Sequence, residues 1–194
     1  MKNILLGLFV LLSFQTFSQN NFRGMSWGDS ESQLKSQYPN VKWELETEGK
    51  LKSYATEDYV GGLKVKVIYA FIVNKFHIGS YYFMEEHFSG NLYHEDFIDI
   101  SNILNKKYDM EKNEKWNNTS WKDDLDNIDH ALKMGHVQII ETYEDEVTSI
   151  VHNISSNDLG GILHMLVYYD MAFVKSQRDS VLDVVHDLAT ELFV

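Results

Sequence analysis

Apolar and polar residues alternate along two separate stretches of this chain, which predicts two groups of β-strands. Each group contains three apolar runs, and only short polar or glycine-containing segments separate one run from the next. The predicted strands lie at 51–60, 63–73, 76–85, 136–143, 146–154 and 162–170. Because short turns join antiparallel neighbours, each group is expected to form one three-stranded antiparallel meander.

Apolar positions spaced three or four apart predict helices around these strands. Ser30 and Gln33 have the spacing of a capping box, which starts the first helix, and Pro39 ends it. The other predicted helices lie at about 92–107, 124–134 and 177–192. We therefore predict an α+β fold, in which two antiparallel three-stranded meanders each follow a helix and a C-terminal helix closes the domain.

The order of one helix and three strands occurs twice, and this repetition has two interpretations. The segments at about 26–88 and 91–170 fit a duplicated α-β-β-β unit, or they are parts of one domain without an internal repeat. No linker-like or low-complexity segment separates them, which favours a single α+β domain from 19 to 194.

If both turns of the first meander contain two residues, the register decides which side chains share a face. One face then carries a nearly continuous apolar surface, including Tyr69, Val73 and Ile78, and is expected to be core. The opposite face has polar edges and an apolar centre that includes Tyr81 and Phe83. Because an exposed apolar patch is typical of a binding surface, Tyr81 and Phe83 are candidate binding residues.

The first eighteen residues have the organisation of a secretory signal peptide. Lys2 precedes an apolar run at 4–12, and small residues near Ser18 suit a signal peptidase. The chain contains no cysteine, which excludes disulfides, thiolate catalysis and the lipid-modified cysteine of bacterial lipoproteins. We therefore expect a signal peptide at 1–18 and an exported protein, periplasmic or secreted, that is not lipid-anchored and has no stable membrane insertion.

The charge of the chain argues against two classes of partner. Its formal net charge is −12 at pH 7, with 29 acidic and 17 basic residues. Nucleic acids and anionic membrane surfaces repel a protein of this sign, so we expect neither as a partner.

Histidine is the main source of chemistry in the sequence. It contains no phosphate-binding glycine loop, dinucleotide fingerprint, nucleophile elbow or zincin helix motif, and we expect no cofactor. We predict a hairpin closed by 155–161, in which Ile154 pairs with Ile162. His152 then faces His164, and the two imidazoles could share a metal ion or titrate as a coupled pair. In the alternative, each imidazole bonds a neighbouring hydroxyl or carbonyl group.

A second group of imidazoles and carboxylates lies between the third strand and the second long helix. His87 and His94 are close in sequence to Glu85, Glu86 and Asp96. These residue types suit a transition-metal ion, although their spacing matches no established ligand pattern. The alternative is a solvated acidic connection.

Two tryptophans, Trp116 and Trp121, lie in the polar segment 109–123, where no periodicity assigns them to the core. Tryptophans exposed on loops often anchor a binding partner, which makes both candidate binding residues. The alternative is that they fold back and cover an edge of the sheet.

A short motif at the start of the predicted domain carries a family resemblance. Its residues are Arg23-Gly24, Trp27-Gly28, Ser30 and Gln33-Leu34. The motif resembles the opening of many small exported bacterial proteins of unknown function. It is also distantly similar to the helix-first repeats of β-lactamase-inhibitor-type domains and of small outer-membrane-assembly lipoproteins. The resemblance implies a non-enzymatic domain whose partner is another envelope or secreted protein.

Two functional interpretations follow from these features. The first is a non-catalytic protein-binding module of the cell envelope or secretome, which binds through the four aromatic residues named above. The second is a metal- or ligand-binding protein, or a hydrolase, which uses histidines and carboxylates, with His152 and His164 as metal ligands. The missing catalytic motifs favour the first interpretation.

Overall fold

The structure, a computed structural model, describes residues 21–87, 92–108, 111–157 and 161–176. The predicted signal peptide at 1–18 and the predicted C-terminal helix at 177–192 lie outside these residues. The α-helices are α1 (Glu31–Gln37), α2 (Leu92–Lys107), α3 (Ile128–Lys133) and α4 (Met171–Ser176), and two 3-10 turns lie at Thr119–Asp123 and Leu125–Asn127. The strands are β1 (Glu44–Thr47), β2 (Leu51–Val60), β3 (Leu63–Ile72), β4 (Lys75–Phe83), β5 (Glu111–Trp116), β6 (Ile139–Glu144), β7 (Thr148–Ser156) and β8 (Ile162–Asp170).

All eight strands belong to one antiparallel sheet, in the order β1-β2-β3-β4-β8-β7-β6-β5. The two halves of the chain meet at its centre, where Ile78 of β4 lies opposite Tyr169 of β8 and Tyr82 lies opposite Met165. The prediction of two three-stranded meanders is therefore wrong. Turn signals report pairing between neighbours in sequence, whereas β4 and β8 pair over a long sequence separation. Their pairing covers the edge that each meander would otherwise expose, and no local sequence pattern predicts it.

The two edge strands, β1 and β5, are also absent from the predicted set. β5 has the sequence Glu-Lys-Asn-Glu-Lys-Trp, and all of its side chains except Trp116 are exposed. Charged residues suit an edge strand, because they discourage a further strand from pairing there. Such a strand has no apolar face, so no alternation of apolar and polar residues marks it.

A β-bulge interrupts the pairing of β3 with β4. Phe76 lies opposite Phe71, but the next pair along the strands is Ile78 opposite Ala70. His77 is therefore the extra residue of the bulge.

The bulge moves Tyr81 and Phe83 onto the face that packs against the helices, where they lie opposite Val67 and Val65. The prediction that these two aromatic residues lie on the outer face is wrong. A shift of one residue sends every later side chain of the strand to the other side of the sheet. Ile78 moves to the opposite face for the same reason.

The turn between β3 and β4 consists of Val73 and Asn74, whose φ angles are 50° and 64°. Two central residues with positive φ are characteristic of a type I′ hairpin turn. The predicted core position of Val73 is wrong, because this side chain is 76% exposed. A β-branched residue is strained at positive φ, so this turn carries a local energetic cost.

Helices α1, α2 and α3 pack on one side of the sheet, which we call the helical face. Leu34 of α1 and Leu104 of α2 are buried in one apolar cluster with Tyr69 of β3. Ile128 of α3 is buried in a second cluster with Phe97 of α2. Complete burial of each such side chain contributes roughly 1.5–3 kcal/mol to stability. Within the described ranges, no helix combines the length and the hydrophobicity that crossing a membrane requires.

The start of α1 confirms the predicted capping box. The Ser30 side chain accepts a hydrogen bond from the backbone N–H of Gln33, and the Gln33 side chain accepts one from the backbone N–H of Ser30. Residues 21–29, which precede this cap, run across the helical face. Phe22 and Met25 of this segment are buried in the main cluster.

Candidate functional site

A cavity of about 300 Å³ opens on the helical face, between the segment 21–23, the end of α2 and the turn that joins β6 to β7. We call it the tyrosine cavity. Three tyrosines, two cations and one carboxylate contribute to its lining: Tyr81, Tyr108, Tyr168, Arg23, Lys107 and Asp145.

The sheet register places two tyrosines of the cavity, Tyr81 and Tyr168, side by side. Tyr81 pairs with Leu166, and Tyr168 pairs with Gly79, so both tyrosines project from neighbouring strands on the helical face. Their ring centroids are 6.1 Å apart, in an edge-on arrangement. Without the bulge in β4, Tyr81 would point to the other side of the sheet.

The ring of Phe22, which packs closely against the sheet backbone, forms the floor of the cavity. The ring of Phe22 lies against Gly79, and a Cβ atom at that position would overlap the ring. The centroid of Phe22 is 5.0 Å from that of Tyr81 and 5.2 Å from that of Tyr168. Gly79 therefore lets the segment 21–23 close over the sheet centre.

The third tyrosine comes from the residue that follows α2. The Tyr108 hydroxyl donates a long hydrogen bond of 3.4 Å to the Tyr168 hydroxyl. Burial raises the pKa of Tyr81 to about 12, and burial together with the nearby Tyr108 raises the pKa of Tyr168 well above its usual value. Tyr81 and Tyr168 are therefore neutral at pH 7 and keep their O–H groups as donors.

Arg23 and Lys107 bring positive charge to the cavity. The Arg23 guanidinium lies 5.8 Å from the centre of the Tyr81 ring and forms a salt bridge with Asp58. Although burial opposes it, the hydrogen bond to Asp58 raises the pKa of Arg23 above its usual value. Arg23 is therefore cationic at neutral pH. The Lys107 ammonium lies 4.8 Å from the centre of the Tyr108 ring.

A separate polar network is buried between α2 and the second half of the sheet. Glu141 of β6 accepts hydrogen bonds from the hydroxyls of Ser101 and Tyr143, at 2.6 Å and 2.8 Å. Its other carboxylate oxygen lies 2.6 Å from the Lys112 ammonium. Burial by itself raises the pKa of Glu141, but these partners and His152 together lower it to about 2.

The two predicted metal ligands, His152 and His164, adjoin this network. The hairpin pairs Ser156 with Ile162, so Ile154 lies opposite His164 and His152 is the diagonal neighbour of His164. The predicted register is wrong by two residues, and an even shift leaves both histidines on one face. Their Nε2 atoms are 2.9 Å apart, the distance of a hydrogen bond in which one imidazole donates.

Aromatic rings enclose this histidine pair. His152 stacks on Phe97 and His164 stacks on Phe83, each with ring centroids 4.0 Å apart. Burial lowers the pKa of both imidazoles, and of His164 well below the usual value of 6.5. Within the described parts of the chain, no group of three or more histidine and carboxylate side chains could hold a metal ion.

The two predicted tryptophan anchors pack against the protein itself. Trp116 ends β5 opposite Ile139, and its indole N–H donates to Glu114. Trp121 lies in the first 3-10 turn, and both tryptophans are partly buried against the cluster around Ile128. The geometry matches the alternative in which these rings cover an edge of the sheet.

The structure disperses the four aromatic residues that the sequence favours for binding. Tyr81 lines the tyrosine cavity. Phe83 is buried and lines a second cavity of about 440 Å³ at the end of β4. The sequence pattern does not single out Tyr108, Tyr168 or Lys107, because the cavity joins elements that are far apart in the chain. Near this site, the sequence draws attention to Arg23, through the motif Arg23-Gly24, and to Tyr81.

The second cavity contains part of the predicted group of imidazoles and carboxylates. His87 lines it, and its Nε2 atom lies 2.6 Å from the Asp96 carboxylate.

Comparisons with protein-family models, curated proteins and solved structures found no match to this chain.

Proposed function

We propose that this chain is an exported, non-catalytic protein-binding module, and that the tyrosine cavity holds a group of its partner. The observation that carries the proposal is a cavity of about 300 Å³ whose lining combines three tyrosines with an arginine and a lysine. Tyrosine and arginine dominate the binding energy of many protein interfaces, because they combine apolar area with hydrogen-bond donors. The export signal expected at 1–18 makes the partner another envelope or secreted protein.

The position of the histidine network supports a role without catalysis. Ser101, Glu141 and His152 place a hydroxyl, a carboxylate and an imidazole within hydrogen-bond distance of one another. However, they are 3%, 1% and 0% exposed, and none of them lines the tyrosine cavity or the second cavity. A nucleophile must reach its substrate, so this network is better suited to stabilising the core.

The proposal is tested by blocking the mouth of the tyrosine cavity. Val147 lines the cavity and is 51% exposed, so Val147→Arg fills the mouth without disturbing the core. Leu45→Arg is the matched control, because Leu45 is 49% exposed on the edge strand β1. The mature chain and both variants are immobilised and exposed to envelope and culture-medium extracts.

We expect the unmodified chain and Leu45→Arg to retain the same specific partner and Val147→Arg to lose it. Thermal unfolding of both variants checks that each of them folds. Equal capture by the two variants would overturn the proposal, and so would the absence of any specific partner.

The alternative function is metal or ligand binding, or hydrolysis, through histidines and carboxylates. His87 favours it, because this imidazole lies on the wall of the second cavity and within 2.6 Å of the Asp96 carboxylate. Metal analysis of the mature protein, purified without an affinity tag, tests this alternative together with the predicted ligands His152 and His164. A metal-free protein whose unfolding temperature does not respond to a chelator would exclude the metal-binding form.

A further inference from the structure

We propose that the tyrosine cavity binds a carboxylate group. This inference rests on the proposed function and names the chemistry of the group that the partner inserts. It follows from the charge of the cavity, from its surplus of hydrogen-bond donors and from the environment of Lys107.

The charge of the cavity differs in sign from the charge of the chain. The chain carries a formal net charge of −12, whereas the cavity lining contains two cations, Arg23 and Lys107, and one carboxylate, Asp145. Asp145 Oδ1 already accepts hydrogen bonds from the backbone N–H groups of Val147 and Thr148, both at 2.7 Å. These bonds hold the turn between β6 and β7, so the carboxylate has a structural role.

Lys107 is the cation most available to a ligand. It is exposed at the last position of α2, and its ammonium lies over the Tyr108 ring. Among the described residues, no carboxylate forms a salt bridge with it. Arg23 is held by Asp58, and a guanidinium has five N–H donors, so a single carboxylate partner leaves donors for a second acceptor.

The hydroxyl groups of the cavity add further donors. The hydrogen bond from Tyr108 to Tyr168 is long, at 3.4 Å, and long hydrogen bonds are weak. Breaking this hydrogen bond to turn the hydroxyls toward a ligand oxygen therefore costs little free energy. A cavity with several donors and two cations is complementary to an anion with two acceptor oxygens.

The aromatic walls indicate that this anion is attached to an apolar stem. Phe22 and the three tyrosines surround a volume of about 300 Å³, which suits a short side chain or a chain end. A glutamate or aspartate side chain, a C-terminal carboxylate and a small free acid all have this chemistry.

The test uses the α-amide of N-acetylglutamate, whose only carboxylate is that of the side chain, as the probe, and the nearly isosteric, neutral α-amide of N-acetylglutamine as its control. Each is titrated into the isotopically labelled mature chain, and the backbone amide resonances around Thr148 and Tyr168 are followed by NMR. We expect the acid to shift these resonances and to bind about tenfold more tightly than the amide, as a charge-assisted hydrogen bond gives. Inorganic phosphate is the third probe, and its binding more tightly than the acid would overturn the assignment to a carboxylate.

A pair of lysine variants tests the role of charge at the site. Lys107→Gln removes the cation that forms no salt bridge with the carboxylates in the described part of the chain. We expect it to weaken binding of the acid about fivefold, the effect of a partly exposed ion pair. Lys106→Gln is the matched control, because Lys106 is the preceding exposed residue of α2 and does not line the cavity. It makes the same change in net charge and should leave the affinity unaltered. Equal effects of the two variants would overturn the inference.

Two peptides distinguish the sources of the carboxylate. One contains an internal glutamate and an amidated C-terminus, and the other carries its only carboxylate at the C-terminus. Stronger binding of either one than of the α-amide of N-acetylglutamate identifies a protein carboxylate as the ligand.

The outcomes also separate this inference from the proposed function. If acid and amide bind equally while Val147→Arg still abolishes capture of the partner, the carboxylate inference fails and the proposed function stands. If the acid binds in the cavity while Val147→Arg leaves capture unchanged, the proposed function fails and the carboxylate site stands.

Discussion

The buried histidine pair makes the stability of this protein depend on pH below neutrality. His152 and His164 are 0% and 3% exposed, and burial lowers the pKa of both in the folded chain. In the unfolded chain, each titrates near the usual value of 6.5. The stabilisation linked to their neutral form is therefore fully present above pH 6.5 and is lost as pH falls toward the folded pKa.

The magnitude follows from counting protons. An imidazole that stays neutral in the folded chain, while the unfolded chain binds a proton, costs about 1.4 kcal/mol for each pH unit below 6.5. Between pH 7 and pH 5 this cost sums to about 2 kcal/mol for one histidine. Burial lowers the pKa of His164 well below its usual value, so His164→Gln should reduce the loss of stability over this interval by up to about that amount.

The assay is urea unfolding of the mature chain at pH 7 and pH 5, followed by tryptophan fluorescence. His164→Gln lowers the stability at both pH values, because it disturbs packing against Phe83, but the difference between the two pH values should shrink. His136→Gln is the control, since His136 is exposed, and should leave the difference unchanged. An identical difference for His164→Gln and the unmodified chain would refute the reasoning.

Three further changes test the packing around the sheet, each by urea unfolding. Gly79→Ala should destabilise the protein by about 1–3 kcal/mol, because a Cβ atom there overlaps the Phe22 ring, and a change below about 0.5 kcal/mol would contradict this packing. Val73→Gly should stabilise it by about 1 kcal/mol, because a glycine relieves the strain of positive φ; a loss of stability would contradict the turn geometry. Glu141→Ala should cost about 3–5 kcal/mol, because Ser101 and its other buried partners lose their acceptor, and a cost below about 1 kcal/mol would contradict the network.

Much of the local structure is readable from the sequence. The spacing of Ser30 and Gln33 predicts the start of α1, and the apolar positions of the segment 92–107 predict α2 with its observed bounds. The alternating runs predict six of the eight strands. These features depend on residues that are close in sequence, where propensity and periodicity act directly.

The features that create the site depend on residues far apart in the chain. Neither the pairing of β4 with β8 nor the extra residue His77 has a local signature. These two features place Tyr81 beside Tyr168 on the helical face, and Tyr108 comes from the residue that directly follows α2. A register that omits this one extra residue in β4 assigns Tyr81 to the wrong face of the sheet.

The affinity of the captured partner for two variants tests the central claim most directly. Dissociation constants are measured by titration calorimetry for Val147→Arg and for Leu45→Arg, whose mutated positions have similar exposure and lie inside and outside the tyrosine cavity. If the cavity is the binding site, Val147→Arg should bind at least about tenfold more weakly, as expected when an interface pocket is filled. Equal dissociation constants would show that the partner binds elsewhere and would contradict the account.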